Sequence, residues 1–194
     1  YQAFNAQLLA DEEPADNETV LTSGKAYSNV FHANGGSAAF SVMANTLRGV
    51  YGTDVLLATA NSFTGSVLQA DYNQKMAASM IMPNGLMSRQ RTMTGAELKE
   101  TNRGSLPVVS GIAVEVKENN GSYTLTGITR NGQPLGDNDT VTVTCLATEK
   151  QMEALLASDS GTSAGEDTWV RNTWRDYISG GAALAKPENY MTLR

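Results

Sequence analysis

The chain is poor in the residues that usually build reactive centres. It has one cysteine, Cys145, and one histidine, His32. A lone cysteine excludes an intrachain disulfide and a cysteine-based zinc site. A lone histidine cannot supply the several imidazoles on which a hydrolytic zinc site or a dinuclear metallophosphatase centre usually draws. No Asp-x-Asp-x-Asp-Gly-type calcium loop is present. Charged residues are only 18% and aromatics 7% of the chain. No apolar run approaches the roughly 20 residues that span a bilayer. Basic residues are the minority sign, and the net charge of −6 argues against nucleic acid or an anionic membrane surface as the main partner. There is neither a starting Met nor a signal-peptide pattern, so Tyr1 reads as a cut within a longer protein.

What is present is globular. The 194 residues, 41% of them hydrophobic, suit one domain with an arm. Residues 1–35 read as that arm or linker, because the run from Asp11 to Glu18 is acidic and polar. Residues 36–194 read as the domain. Ala33-Asn34-Gly35-Gly36-Ser37 is a capping loop, and after it Phe40, Met43, Leu47 and Val50 recur at helical spacing, with Gly52 as the stop. Val55-Leu56-Leu57-Ala58-Thr59 is short and apolar, as a buried strand is. A helix feeding a buried strand points to an α/β or α+β layer architecture.

Residues 72–80 read as a helix ended by Pro83, and residues 86–93 as a strand. Thr94-Gly95-Ala96-Glu97 fits a capping box. Residues 108–117 alternate as one strand, Asn119-Asn120-Gly121 is a hairpin turn, and residues 123–129 return as the partner. Asn131-Gly132 turns again before Val141-Thr142-Val143-Thr144. Residues 149–157 read as a helix and 158–167 as a loop of small residues. Trp169, Trp174, Tyr177 and Ile178 belong to a last helix with both tryptophans as core anchors. The tail from Gly180 is expected to lie along the surface.

Each candidate constellation has a plain structural alternative. Gly161-Thr162-Ser163-Ala164-Gly165 matches the Gly-x-Ser-x-Gly elbow of serine hydrolases, but no apolar strand precedes it and no histidine comes after it. His32 lacks companions and reads as a surface or structural residue. Cys145 lies in an apolar strand and reads as buried. Met76, Met80, Met82, Met87 and Met93 fill core or offer an adaptable surface. Arg89 and Arg91 share one side of a strand, either as an exposed face or as a phosphate clamp. The triplets at Asn17, Asn120 and Asn138 fit the glycosylation pattern, which matters only in a eukaryotic secretory setting.

Eight short motifs then stand in the order of a known family. They include Ser41 to Arg48, Gly52-Thr53-Asp54-Val55-Leu56-Leu57, Pro83-Asn84-Gly85-Leu86 and Val109-Ser110-Gly111-Ile112-Ala113-Val114. The sharpest is Met93-Thr94-Gly95-Ala96-Glu97-Leu98-Lys99; Gly127 to Leu135, Thr140 to Val143 and Gly165-Glu166-Asp167-Thr168-Trp169 complete the set. In this order residues 36–194 resemble the C-terminal domain of bacterial 5′-nucleotidases. The resemblance implies an α/β fold of mixed β-sheets flanked by helices.

It also implies a non-catalytic domain that grips a nucleotide, the base between two aromatics and the phosphates with arginines. A divalent metal pair is then expected only in a metallophosphatase domain upstream in the same parent chain, with no cofactor in this one. The implied location is secreted or in a bacterial cell envelope. The implied site residues are Asn61, Ser62, Phe63, Thr64, Asn84, Gly165 and Asp167. The family's glycines and arginine are missing from residues 60–64, Asn84 replaces an aromatic, and none stands near Ala147. Phe63 is the one ring left in the first loop. Glu149, Glu166 and Asp167 make the neighbourhood acidic, with Lys150 as its sole cation in these stretches. The expected ligand is a nucleoside or nucleotide held weakly at a reduced site. The competing expectation is a structural or interaction module of a cell-surface protein that kept the fold and lost the ligand.

Overall fold

The computed structural model describes residues 19–81, 85–101, 106–148, 151–152, 168–181 and 183–194. The elements run β1 (Thr19–Thr22), α1 (Ala38–Tyr51), β2 (Val55–Thr59), β3 (Asp71–Asn73), α2 (Gln74–Ala78), β4 (Leu86–Thr94) and α3 (Gly95–Glu100). Next come β5 (Pro107–Ser110), β6 (Ala113–Asn119), β7 (Ser122–Arg130), β8 (Gln133–Pro134), β9 (Thr140–Thr148), β10 (Thr168–Trp169), α4 (Val170–Ser179) and β11 (Met191–Leu193). A five-stranded sheet has the order β10-β4-β9-β2-β5, and a four-stranded sheet the order β11-β6-β7-β8. Each holds one parallel pair, β2 with β9 and β11 with β6, among antiparallel neighbours. The α/β architecture of mixed sheets with flanking helices is the one the motifs implied.

Local chemistry sets the element boundaries. Ser37 caps α1 by accepting from the Phe40 amide, and Gly52 ends it in the left-handed conformation at φ 67°. Val42, Met43, Ala44 and Leu47 turn inward, and α1 packs on β2 and β5. Thr94 caps α3 as the sequence predicts. The Glu97 amide donates to Thr94 Oγ1 at 3.2 Å, and the Thr94 amide donates back to Glu97 Oε2 at 2.7 Å. Asn120 and Gly121 carry the positive φ values that a tight hairpin between β6 and β7 needs.

Four expectations are corrected. The alternating run 108–117 is two strands in two sheets, because the chain breaks at Gly111-Ile112 and crosses over. Gly111 has φ 83°, and a Cβ there would lie 2.0 Å from the Asp54 carbonyl oxygen, so only glycine fits the crossing. The helix expected over 72–80 is five residues, 74–78, since Tyr72 pairs in β3 and Asn73 caps the short helix α2. Trp169 is 50% exposed and not a core anchor; Trp174 alone is buried, donating Nε1–H to the Ala77 carbonyl. The tail is a surface segment only in part: residues 183–189 run exposed or half-buried and are bonded to α1 as a strap, whereas Tyr190 and Met191 are buried and β11 joins the second sheet.

Residues 19–35, read as part of the arm, lie against the domain. β1 pairs with β3, Leu21 is buried, and Tyr27 bridges to Val67. His32 is exposed, in a turn closed by a bridge to Gly36. Cys145 is fully buried and its thiol is pushed up to about 12 by burial, against the pull of Arg91 and Arg89. Those two arginines stand opposite Val143 and Cys145 on one face of the sheet. Met80 and Met93 fill core, whereas Met76 is exposed. The expected elements at 149–157 and 158–167, and Ser163 with them, fall largely or wholly outside the described residues.

Asp54 ties the start of β2 to both sheets. Its Oδ2 accepts from the Thr142 amide and hydroxyl at 2.9 Å each, and its Oδ1 from the Arg130 guanidinium. The Thr142 amide is the largest influence holding its carboxyl below the usual aspartate range; partial burial opposes it, and the Thr142 hydroxyl and Arg130 charge reinforce it. A lowered folded-state value stabilises above the ordinary aspartate pKa and is lost as pH falls through the lower one. The stability difference between the natural chain and Asp54→Asn is therefore expected to be constant above about pH 5 and to shrink below about pH 4. Urea denaturation at a series of pH values reads it. Thr94→Ala is expected to lower stability by about 1 kcal/mol through the lost cap. The same denaturation at pH 7, with Thr94→Ser as the retained-cap control, checks it.

Candidate functional site

The carboxyl ends of β2 and β9 point the same way, because those strands are parallel. The amino ends of β4 and β5 arrive at the same edge, because each runs antiparallel to its neighbour. In open α/β sheets this is the edge where ligands bind. Here Thr59 lies opposite Pro107 and Leu86 opposite Thr148, so the segments adjoining these strand ends gather at one pole. Among the described residues, 60–62, Gly85 and Thr148 therefore adjoin this one edge.

The sequence-derived residues of the first segment behave differently from one another. Residues 60–62 form a single 3-10 turn. Asn61 is exposed at its crest. Ser62 is buried, and its hydroxyl accepts from the Thr59 amide at 3.3 Å, which closes the turn. Phe63 is 4% exposed. Its ring lies 5.8 Å from that of Phe40, and its backbone bridges to Ile81. Phe63 is thus a core residue, and neither face of its ring is presented to solvent. The physical reason is the bridge: pairing with Ile81 turns the side chain inward. Thr64 is exposed and is tied to the next segment through the Ser79 carbonyl and its own amide on the Met80 carbonyl. Asn84, Gly165 and Asp167 lie outside the described residues, as do Glu149, Lys150 and Glu166.

Two residues at this pole were not among the site residues read from the sequence: Trp169 was read as a core anchor and Arg171 was not singled out. Trp169 in β10 stands opposite Met87 of β4, and its ring borders Gly85, with Cζ3 3.9 Å from where a Cβ would sit. Arg171, in the first turn of α4, donates from Nη2 to the Ile81 carbonyl at 3.1 Å. Its Nε is buried without a hydrogen-bond partner. An indole ring thus lies beside Gly85 and a guanidinium beside Ile81. The signal for Trp169 was in the spacing. Val170, Trp174 and Ile178 recur at four-residue intervals and are the buried stripe of α4, which leaves position 169 outside it.

The arrangement can stack a flat ring and hold an anionic or acceptor group. Among the described residues no three of His, Cys, Asp or Glu gather as a metal site would require.

No protein-family model matches this sequence, and no curated protein sequence matches it. Solved structures do. The chain superposes on the NAD nucleotidase of Haemophilus influenzae with a TM-score of 0.68 at 17% identity, covering 100% of this chain and 41% of that one. The 5′-nucleotidase precursor of Thermus thermophilus gives 0.69 at 12% identity, with 99% and 42% covered. A sulfate thiohydrolase from the same organism gives 0.71 at 12% identity, with 99% and 38% covered. The chain thus spans about two-fifths of the length of each. What it shares with these enzymes is a fold, the one its motifs resemble: that of the C-terminal domain of the 5′-nucleotidases.

Proposed function

We propose that this chain is the nucleotide- or nucleoside-binding domain of a 5′-nucleotidase-like protein, with a reduced ligand site and no catalytic centre of its own. The observation that carries this reading is the half-exposed Trp169 ring beside Gly85, with Arg171 bonded to the Ile81 carbonyl, at the carboxyl-end pole of the sheet. Trp169 takes the stacking role that the buried Phe63 cannot. One aromatic face contributes roughly 1–3 kcal/mol, so binding is weak compared with a two-sided clamp. Arg171 supplies the cation that favours a monophosphate over the bare nucleoside. Catalysis belongs to a metallophosphatase domain of the parent chain, since the single histidine here cannot assemble a metal pair. The parent is an exported bacterial protein on this reading.

The second reading is an interaction module, and the burial of Phe63 favours it, because the one aromatic of the first loop has become packing. The two readings part on ligand binding. Adenosine and AMP titrated into the chain are expected to quench Trp169 emission saturably, AMP binding more tightly. Trp169→Ala is expected to weaken both by about 5- to 150-fold, the equivalent of one stacking contact. Arg171→Gln is expected to abolish the preference for AMP alone. No turnover of AMP with Zn²⁺, Mn²⁺ or Mg²⁺ is expected. Absence of saturable binding of either ligand would decide for the interaction module.

A further inference from the structure

At the opposite pole a second concavity lies where the two sheets, α1 and the strap meet. It has a volume of about 310 Å³, at the small end of ligand pockets. Its lining includes Arg48, Asp54, Gly111, Arg130, Asn131 and Glu188. Asp54 precedes β2 and Asn61 comes after it, so the length of a five-residue strand, about 13 Å or more, separates this cavity from the nucleotide pole. We propose that this cavity is a binding site for a small oxyanion, a carboxylate or a phosphate, recognised by the guanidinium groups of Arg48 and Arg130.

Both arginines are fixed by one anchor each and keep donors to spare. Arg48 Nε donates to Ser110 Oγ at 2.7 Å, and its stem packs on Gly111, whose missing Cβ would sit 3.1 Å from Arg48 Cδ. Its terminal N–H groups have no protein acceptor among the described residues. Arg130 donates from Nη2 to Asp54 Oδ1, and its Nε and Nη1 likewise have no such acceptor. A guanidinium held at one corner presents the rest of its planar fork in a fixed orientation, which matches carboxylate and phosphate oxygens bidentately.

The charges of the lining favour an anion at Arg48. Asp54 is spent: Oδ1 is taken by Arg130 and Oδ2 by two donors of Thr142. It neutralises Arg130, and three of its four lone-pair sites are already taken. Arg48 has only a neutral hydroxyl as partner, so its charge is uncompensated. Glu188 is the one remaining acid of the lining and sits exposed on the strap at the rim, where solvent screens it. The chain as a whole carries −6 and repels anions, so saturable oxyanion binding requires a local site of this kind.

Titration calorimetry at constant ionic strength, on the whole 194-residue chain, uses inorganic phosphate and succinate as separate probes. The tighter of the two tells phosphate from carboxylate, and the two are expected to compete. Arg48→Gln, which keeps a polar stem but removes the fork, is expected to weaken binding at least tenfold. Glu188→Gln, an exposed substitution that leaves the fold intact, is expected to tighten it several-fold. Adenosine quenching of Trp169 is expected to be unchanged in both variants, which separates this site from the nucleotide pole. Failure of both probes to saturate on the natural chain overturns the proposal. So does an affinity unmoved by Glu188→Gln and by a folded Arg48→Gln.

Discussion

A polar group taken out of water must find a partner, and in this molecule that demand falls on α1. The helix is buried along most of its length, yet it carries Ser41, Asn45 and Thr46 into the interior with its apolar residues. Residues 185–190 supply most of their partners, with Asn45 Oδ1 buried and unpaired and the Thr46 hydroxyl donating to the Val42 carbonyl. The Ala185 amide donates to Thr46 Oγ1, Asn45 Nδ2 donates to the Lys186 carbonyl, and Ser41 Oγ both accepts from the Glu188 amide and donates to its carbonyl. Each unpaired group would cost about 1–3 kcal/mol, so helix and strap are stable only together. Tyr190 completes the contact: its buried hydroxyl accepts from the Ser37 amide at the first turn of α1. Gly36 makes room for that ring, since a Cβ there would lie 2.3 Å from Tyr190 Cζ.

With the strap seated, the remaining architecture is determined. β11 is delivered alongside β6 and the second sheet gains its parallel edge. The first sheet is joined to the second at Gly111, where the chain passes over the Asp54 carbonyl. The two poles of β2 then acquire different chemistry. One gathers loop ends, an indole and an arginine; the other gathers an ion pair and a second arginine anchored on a serine hydroxyl. That division follows strand direction, since the parallel β2 and β9 send their carboxyl ends to one side and their amino ends to the other.

The sequence was most legible where local chemistry decides the structure. The Ser37 and Thr94 caps, the Gly52 stop, the Asn120-Gly121 turn and the buried run 55–59 all depend on neighbours within a few residues. It was least legible where a distant partner decides. Alternation continues through Gly111, and only the Asp54 carbonyl, far away in sequence, shows why one run serves two sheets. Phe63 sits in a polar stretch and looked available, but Ile81 and Phe40 draw it inward. The strap reads as an unremarkable tail because, Tyr190 apart, its recognition uses main-chain atoms, which every sequence possesses. At the candidate site, the spacing of the buried stripe of α4 places Trp169 outside it, while nothing local in the sequence marks Arg171.

The strap also imposes an order of events on the growing polypeptide. Its hydrogen bonds join residues 139 to 153 positions apart, so helix α1 is made early and meets its partners late. Such long loops are slow to close, and topologies dominated by them fold slowly. Until residues 185–190 leave the ribosome, the hydroxyls and amide of α1 face an unfinished interior, and β6 presents an unpaired edge of the kind that invites pairing with other chains. The nascent protein therefore passes through an interval of vulnerability to aggregation that closes only when the strap docks. In that sense residues 185–193 act as a completion signal, read by serines and threonines laid down some hundred and fifty positions before them.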